Sequence, residues 1–166
     1  YVYDPLYRLK EANYSDGRYF HYTYDAVGNR LTQTVCSGAG CTPVVTNYTY
    51  DAANRLTSVN GVAYTWDNNG NLLNDGAWSY TYDSANRLTR SRAITGNPQP
   101  EYWFTYNGLG DRLQQSVVEY RDCFPAVCDP LPPVTTTYTL DLNAGLTQVL
   151  ADGTNTYLYG NGRIAQ

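Results

Sequence analysis

The sequence predicts an all-β protein built from tandem antiparallel β-hairpins. A short aromatic motif recurs along the 166 residues, residues typical of tight turns separate its copies, and no window has the 3.6-residue periodicity of a helix. Because each copy alternates aromatic and polar residues before a turn, each copy is expected to form one hairpin. The hairpins together should give about 14–16 short strands in one continuous twisted strip.

The motif consists of two aromatic residues separated by one residue, then Asp, a turn and an Arg-Leu pair. Three copies are nearly identical: YTYDAVGNRLT begins at Tyr22, YTYDAANRLT at Tyr48 and YTYDSANRLT at Tyr80. Weaker copies bring the starting positions to 1, 22, 48, 64, 80, 104, 138 and 157. We therefore interpret residues 1–166 as a single repeat region of about eight hairpins, with no separate second domain.

Alternation within a copy places its two tyrosines on one face of the strand and its charged residues at the turn. The Tyr-lined face is expected to form a core layer, with a stacking platform for sugars as the alternative. Charge pairs across the turns should set the register more than the stability, because exposed pairs contribute only about 0–1 kcal/mol. The predicted pairs are Asp25 with Arg30, Asp51 with Arg55 and Asp83 with Arg87, and the tyrosines of these three copies are Tyr22, Tyr24, Tyr48, Tyr50, Tyr80 and Tyr82.

A second set of turns, in which Gly follows Asn or Asp, alternates with the motif turns. Asn-Gly and Asp-Gly are strong hairpin signals because a type I′ turn needs a positive φ at both central residues. The two kinds of turn should therefore lie on opposite edges of the strip. The second set consists of Asp16-Gly17, Asn60-Gly61, Asp75-Gly76 and Asp152-Gly153.

The three near-identical copies resemble YD repeats, also called RHS repeats. The resemblance covers nearly the whole chain, and residues 157–166, YLYGNGRIAQ, are similar to the segment that often closes such an array. In that family a β-strip winds into a hollow shell, which holds toxic cargo in toxin complexes and polymorphic bacterial toxins and gives teneurins an extracellular adhesion scaffold. The resemblance implies a structural role. It extends neither to an autoproteolytic segment nor to a toxin domain, so neither activity is expected here.

The repeats are expected to need neighbours. Eight copies are too few to close a shell of that kind, and an open strip has unpaired strand edges and faces that other repeats must cover. The expected partners are neighbouring repeats of a longer chain or further copies of this chain. Head-to-tail stacking of copies would produce a filament.

The four cysteines form two equally spaced pairs, Cys36 with Cys41 and Cys123 with Cys128, which lie in the two longest of the intervals that separate the motif copies. We expect a local disulfide in each pair, with free thiols or a zinc site as the alternatives. Disulfides form in oxidising compartments, so this pattern favours a secreted protein, extracellular or on the cell surface.

Sugars are a further candidate partner. Two short sequons mark Asn13 and Asn47 as candidate N-glycosylation sites, with a chance match as the alternative. Residues 132–137, in which two prolines precede a Thr-rich run, are interpreted as an exposed loop, with O-glycosylation as the alternative. Candidates for stacking against a bound glycan are Trp66, Trp78 and Trp103.

The sequence offers few residues for catalysis. His21 is the only histidine and is interpreted as a strand surface or packing residue. A calcium role for the loop residues Asp67, Asn68 and Asn69 is a weak alternative, so no metal or other cofactor is expected.

Charge and hydropathy argue against binding to nucleic acid and against insertion into a membrane. The 15 acidic against 11 basic residues disfavour nucleic-acid binding. A membrane span needs about 20 consecutive apolar residues, and the sequence has no such run. We predict a non-enzymatic extracellular structural protein, bacterial in origin, that builds the β-sheet wall of a surface fibre or of a larger shell. The alternatives are a fragment of a toxin-enclosing shell and an adhesion or carbohydrate-binding module.

Overall fold

The computed structural model describes residues 1–96, 99–120, 130–142, 147–159 and 163–165. These residues form 18 β-strands and no helix, so the all-β class is confirmed. The strands outnumber the prediction because several hairpin arms are only two or three residues long. The strands are β1 Val2–Tyr3, β2 Leu9–Asn13, β3 Arg18–Tyr24, β4 Arg30–Ser37, β5 Val44–Tyr50, β6 Leu56–Val59, β7 Val62–Ala63, β8 Thr65–Trp66, β9 Leu72–Asn74, β10 Trp78–Tyr82, β11 Leu88–Ala93, β12 Glu101–Tyr106, β13 Arg112–Val118, β14 Val134–Thr137, β15 Thr139–Asp141, β16 Gln148–Ala151, β17 Leu158–Tyr159 and β18 Arg163–Ala165.

The chain divides into two compact units, residues 1–65 and 66–166. The first unit contains a seven-stranded sheet in which β1 to β7 follow each other in chain order. Neighbouring strands are antiparallel, as tandem hairpins require. The longest pairing joins β3 to β4, where Tyr22 lies opposite Gln33 and Thr23 lies opposite Thr32.

The second unit repeats this arrangement. Strands β8 to β14 form another seven-stranded sheet in chain order, and β15–β16 and β17–β18 form two further antiparallel pairs. The predicted tandem hairpins are therefore confirmed in both units. In the part of the chain that the structure describes, no helix is long and apolar enough to cross a membrane.

A β-bulge recurs at the same point of the motif. The register shifts between the Thr and the second Tyr, as at Thr23/Tyr24, in four of the hairpins that motif turns close. The equivalent shifts lie at Thr49/Tyr50, Thr81/Tyr82 and Thr105/Tyr106. The extra residue lies on the strand that follows the turn: Leu31 has no partner, because Thr23 faces Thr32 and Tyr24 faces Arg30.

Burial in the sheets is thin. Among the described residues no large side chain is fully buried, and the six tyrosines of the three near-identical copies are only half-buried. The buried apolar residues are small and lie opposite aromatic ones: Ala12 faces Phe20, and Ala93 faces Trp78. Cross-strand side-chain pairs therefore carry much of the stability that a deep core would otherwise supply.

The opposite face of the sheets is polar. Thr23 and Thr32 share a hydrogen bond of 2.6 Å between their hydroxyl oxygens, and Ser116 and Thr135 share one of 2.8 Å. These pairs satisfy hydroxyl groups across strands where alternation predicts a solvated face.

The Gly turns were expected to be type I′ turns, and only one of the four is. Asn60 and Gly61 both have positive φ, 49° and 82°, as a type I′ turn requires. In the other three turns only the Gly has positive φ, because the Asp carboxylate accepts hydrogen bonds from the following backbone: Asp75 Oδ1 lies 2.7 Å from the Trp78 nitrogen.

Candidate functional site: the turn edge

Six motif turns, three in each unit, share one five-residue geometry, and we use the name turn edge for the side of each sheet on which they lie. In the turn of residues 51–55, the Asp51 backbone N–H donates to the Arg55 carbonyl (2.9 Å) and the Asn54 N–H donates to the Asp51 carbonyl (3.0 Å). The fourth residue has positive φ, 61° at Asn54. The same two backbone hydrogen bonds occur in the turns that begin at Asp4, Asp25, Asp51, Asp67, Asp83 and Asn107.

The first side chain of each turn organises the loop. Asp51 Oδ1 accepts hydrogen bonds from the backbone nitrogens of Ala53 (2.8 Å) and Arg55 (2.9 Å), and Oδ2 accepts one from Arg55 Nε (2.8 Å). The Arg55 backbone N–H, followed by its guanidinium, lowers the pKa of Asp51. The carboxylate is therefore held charged as part of the turn.

Two of the three predicted charge pairs are present in the structure. Asp51 pairs with Arg55 at 2.8 Å and Asp83 with Arg87 at 2.7 Å. The expected pairing of Asp25 with Arg30 is corrected: the carboxylate of Asp25 accepts from the Asn29 side chain at 2.9 Å. The extra residue in this copy moves Arg one place beyond the position that faces the Asp.

The sixth turn reverses the polarity of this contact. Asn107 stands where the other turns have Asp, and its Nδ2 donates to Asp111 Oδ2 at 2.8 Å. Asn107 Oδ1 still accepts from the backbone nitrogens of Leu109 and Asp111, both at 2.9 Å. The hydrogen bond is thus kept while the residue types exchange positions.

The second Tyr of the motif reaches back to the preceding hairpin. The hydroxyl of Tyr24 donates to the Leu9 carbonyl at 2.7 Å, and that of Tyr106 donates to the Leu88 carbonyl at 2.7 Å. Tyr50 makes the same contact with the Arg30 carbonyl at 2.9 Å. The sequence gives no signal for these acceptors because they are backbone groups of another copy.

The Arg of a turn reaches forward to the next hairpin. Arg8 Nη1 donates to the Asp25 carbonyl at 2.8 Å, and its guanidinium lies 4.8 Å from the centre of the Tyr24 ring. Arg87 makes the corresponding contacts with the Asn107 carbonyl, at 2.8 Å, and with the Tyr106 ring, at 5.0 Å. One Arg therefore closes its own turn and binds the following copy.

Two further arginines are held between aromatic rings. The guanidinium of Arg30 lies 4.6 Å from the Tyr48 ring and 5.8 Å from the Tyr22 ring, and Nη2 donates to the Tyr48 hydroxyl at 3.2 Å. Arg112 lies in the same way between Phe104 and Tyr138. Cation–π contacts of this kind stabilise packing between copies of the motif.

The disulfide between Cys36 and Cys41 is present, with its Cα atoms 5.7 Å apart. Cys36 is buried at the end of β4. The loop that the disulfide closes packs on Gly17, where an added Cβ would lie 2.6 Å from the Ala39 nitrogen. Cys123 and Cys128 lie outside the described residues.

The candidate glycan positions are accessible. Asn13 and Asn47 are both exposed on strands. Asn13 Oδ1 lies 3.0 Å from Nε2 of His21, whose ring stacks on Tyr19 with centroids 4.4 Å apart. His21 therefore packs on the sheet surface, as interpreted from the sequence.

The candidate calcium residue Asp67 and the candidate sugar-stacking residue Trp103 both have partners within the chain. Asp67 accepts hydrogen bonds from the Asn69 and Asn71 backbone and from the Asn71 side chain, so its oxygens serve the turn. Among the described residues no group of three or more His, Cys, Asp or Glu is placed to hold a metal. Trp103 is 45% exposed, and the Arg90 guanidinium lies over its ring at 4.8 Å.

Tandem hairpins that bind one another through Tyr and Arg define a class of structural β-repeat proteins. The model of the teneurin YD-shell matches residues 1–118, and the chain belongs to this family. The resemblance to YD repeats is therefore confirmed. A shell-type repeat implies association with neighbouring repeats or with a larger shell.

The curated relatives are much longer than this chain. It is 35% identical over 117 residues to the tRNA nuclease WapA of Bacillus subtilis (strain 168) and to the tRNA3(Ser)-specific nuclease WapA of Bacillus spizizenii. Each match covers 69% of this chain and 5% of the relative. A crystal structure of the TcdB2-TccC3-Cdc42 complex is similar over 89% of this chain and 10% of the matched chain, with a TM-score of 0.48 and 16% identity.

Proposed function

We propose that the chain is a stretch of wall in a larger YD-repeat shell that encloses a toxic nuclease. The observation that carries the proposal is the match, at 35% identity, to a segment that makes up only 5% of two tRNA nucleases. So small a share suits a wall segment, with catalysis in another part of the protein. The proposal assigns no catalytic step to this chain.

The surfaces of the sheets support a wall that continues into neighbouring repeats. Large apolar side chains stay exposed on the described strands, among them Val134 at 71% and Val44 at 65%. Thin burial of this kind is typical of repeats that cover each other only when they are stacked. Association with neighbouring repeats of a longer chain would cover these faces and the open strand edges.

The disulfide supports a location outside the cytoplasm. Cys36 and Cys41 close a short loop, and such bonds persist where the compartment is oxidising. We therefore extend the proposal to an extracellular or cell-surface shell.

Electron cryo-microscopy of the full-length protein that carries this chain tests the proposal. The expected result is a closed hollow particle with density for a folded or unfolded polypeptide inside and with these hairpins in its wall. An open filament of stacked strips would contradict the shell and would favour the surface fibre. A closed particle with an empty interior would contradict the enclosed nuclease and leave only the wall.

An adhesion or carbohydrate-binding role is a second candidate, favoured by the exposed Trp103. Its ring is held on the polar face by Arg90, which forms an ion pair with the buried Glu101. Titration of the protein with glycans, followed by Trp fluorescence, tests this role. A change in fluorescence that a Trp103→Phe variant loses would support it, and an unchanged spectrum would exclude it for the glycans used.

A further inference from the structure

The first five turns of the turn edge alternate strictly between two types. The first, third and fifth turns have Arg at the fifth position, and we call them guanidinium-type. The second and fourth have Gly followed by Asn, and we call them amide-type; the sixth has Gly followed by Asp. The fourth and fifth residues are, in order, Tyr7-Arg8, Gly28-Asn29, Asn54-Arg55, Gly70-Asn71, Asn86-Arg87 and Gly110-Asp111.

The two types are linked to the following turn by different chemistry. A guanidinium-type turn donates to a backbone carbonyl, as Arg8 does to Asp25. An amide-type turn donates to a side chain: Asn29 Nδ2 lies 2.9 Å from Asn54 Oδ1. Every residue has a backbone carbonyl, whereas the second link needs one particular side chain in the next turn.

The second unit repeats the amide link independently. Asn86 Oδ1 accepts from Asn71 Nδ2 at 2.8 Å and from Asn69 Nδ2 at 3.0 Å. Like Asn54, Asn86 is exposed and has positive φ, 59°. Asn is thus the residue that tolerates this backbone conformation and also offers an acceptor oxygen.

The sixth turn lacks the amide and makes a different contact. Its fifth residue is Asp111, which can only accept a hydrogen bond when it is charged. The residue that it meets from the following hairpin is Thr147, whose hydroxyl donates to it and lowers the pKa of Asp111. Its partner is a hydroxyl donor outside the fourth position that Asn54 and Asn86 hold, so the sixth turn is not a case of the amide link.

We propose that the turn edge carries a pairing code, in which an amide-type turn is recognised by the Asn at the fourth position of the turn that follows it. The residues that determine this specificity are Asn54 and Asn86, and their partner is the amide of the preceding hairpin. A guanidinium-type turn does not require a particular side chain in the following turn, because its Arg donates to a backbone carbonyl. The code deepens the proposed wall and rests on it for its purpose, because it holds each amide-type hairpin in position against the next hairpin along the wall.

The Asn54→Gly variant tests the code in the protein as it exists. Gly adopts positive φ more readily than Asn, so a purely conformational role predicts unchanged or slower opening of the turns. The code predicts faster opening of the preceding turn, because the acceptor for Asn29 is lost. The backbone N–H of Asn29 donates to Asp25 Oδ1 at 2.8 Å. We expect hydrogen exchange at this backbone N–H to be about threefold faster in the variant than in the unchanged protein.

Ala53→Gly is the matched control, because it adds a glycine to the same exposed turn and leaves the link intact. Exchange at Asn29 should not change in this variant. In the second unit, the effect of Asn86→Gly is measured as hydrogen exchange at the backbone N–H of Asn71, with Ala85→Gly as the control. The code is overturned if exchange in the preceding turn is unchanged or slower in either Asn variant, or if the control speeds it equally. Because exchange is read at single turns, this outcome does not depend on whether the protein forms a closed shell.

Discussion

Removing a single hydroxyl should loosen the contact between the first two hairpins. The Tyr24→Phe substitution keeps the ring beneath the Arg8 guanidinium and deletes only the donor to the Leu9 carbonyl, 2.7 Å away. Tyr24 is half-buried, so the Leu9 carbonyl is left partly shielded from water. The loss of a hydrogen bond, together with a poorly solvated acceptor, costs about 1–2 kcal/mol.

Hydrogen exchange measured by mass spectrometry is the suitable assay, because it reports local opening in whatever assembly contains the chain. A loss of this size corresponds to exchange faster by about 5- to 30-fold in β2 and at the end of β3. Fluorescence is less suitable, since the three tryptophans all lie between residues 66 and 103, outside the first unit.

Tyr22→Phe is the matched control for this prediction. Tyr22 lies two residues earlier on the same strand and face, and within the described chain its hydroxyl has no hydrogen-bond partner. Its substitution should leave exchange within about twofold of the unchanged protein. Equal effects of Tyr22→Phe and Tyr24→Phe, or no effect of either, would refute the assignment of stability to the hydroxyl that reaches back.

Three further perturbations test other parts of the fold. Gly17→Ala should lower the melting temperature more than Gly61→Ala. Both glycines have positive φ, 83° and 82°, but only at Gly17 would the new Cβ collide with backbone atoms, those of Ala39. Equal losses of melting temperature would contradict this close approach. Replacing Cys36 and Cys41 by Ser should cost about 2 kcal/mol on the loop-closure model, measured by urea unfolding against the oxidised protein; unchanged stability would show that the loop is held by packing alone. The melting temperature should fall as the pH drops below about 4, because Asp51 and Asp83 have lower pKa values in the folded than in the unfolded protein. The stability that these carboxylates add is fully present above the unfolded pKa and is lost as the pH falls through the folded pKa. An Asp51→Asn, Asp83→Asn double variant should show a weaker pH dependence, and an identical profile would place the acid sensitivity elsewhere.

The sequence was sufficient to predict the fold and the position of the turns. Alternation in segments such as YTYD fixes which side chains share a face, and Gly or Asn at a regular distance from the Asp fixes where the chain reverses. The pairs Asp51–Arg55 and Asp83–Arg87 followed because both partners lie in one turn. Local geometry of this kind depends only on residues close together in the chain.

Contacts between copies could not be predicted in the same way. Tyr24 and Leu9 lie 15 residues apart, and the acceptor is a carbonyl that every residue has, so no side-chain pattern marks it. The pairing of Asp25 with Arg30 was wrong for a related reason: one additional residue in the turn gave Asn29 the position that Arg holds elsewhere. The alternation of turn types is visible in the sequence only after the structure shows which turn positions meet.

The recurring bulges concentrate the irregular pairing on one side of each sheet. Register shifts occur in the hairpins that motif turns close, as at Thr23/Tyr24 and Thr105/Tyr106, whereas the described pairs between those hairpins keep a regular register. The extra residue, such as Leu31 in the hairpin of β3 and β4, lies on the strand that follows the motif turn. A bulge bends its strand and increases the local right-handed twist. We therefore expect each sheet to twist most strongly along the side that carries the motif turns.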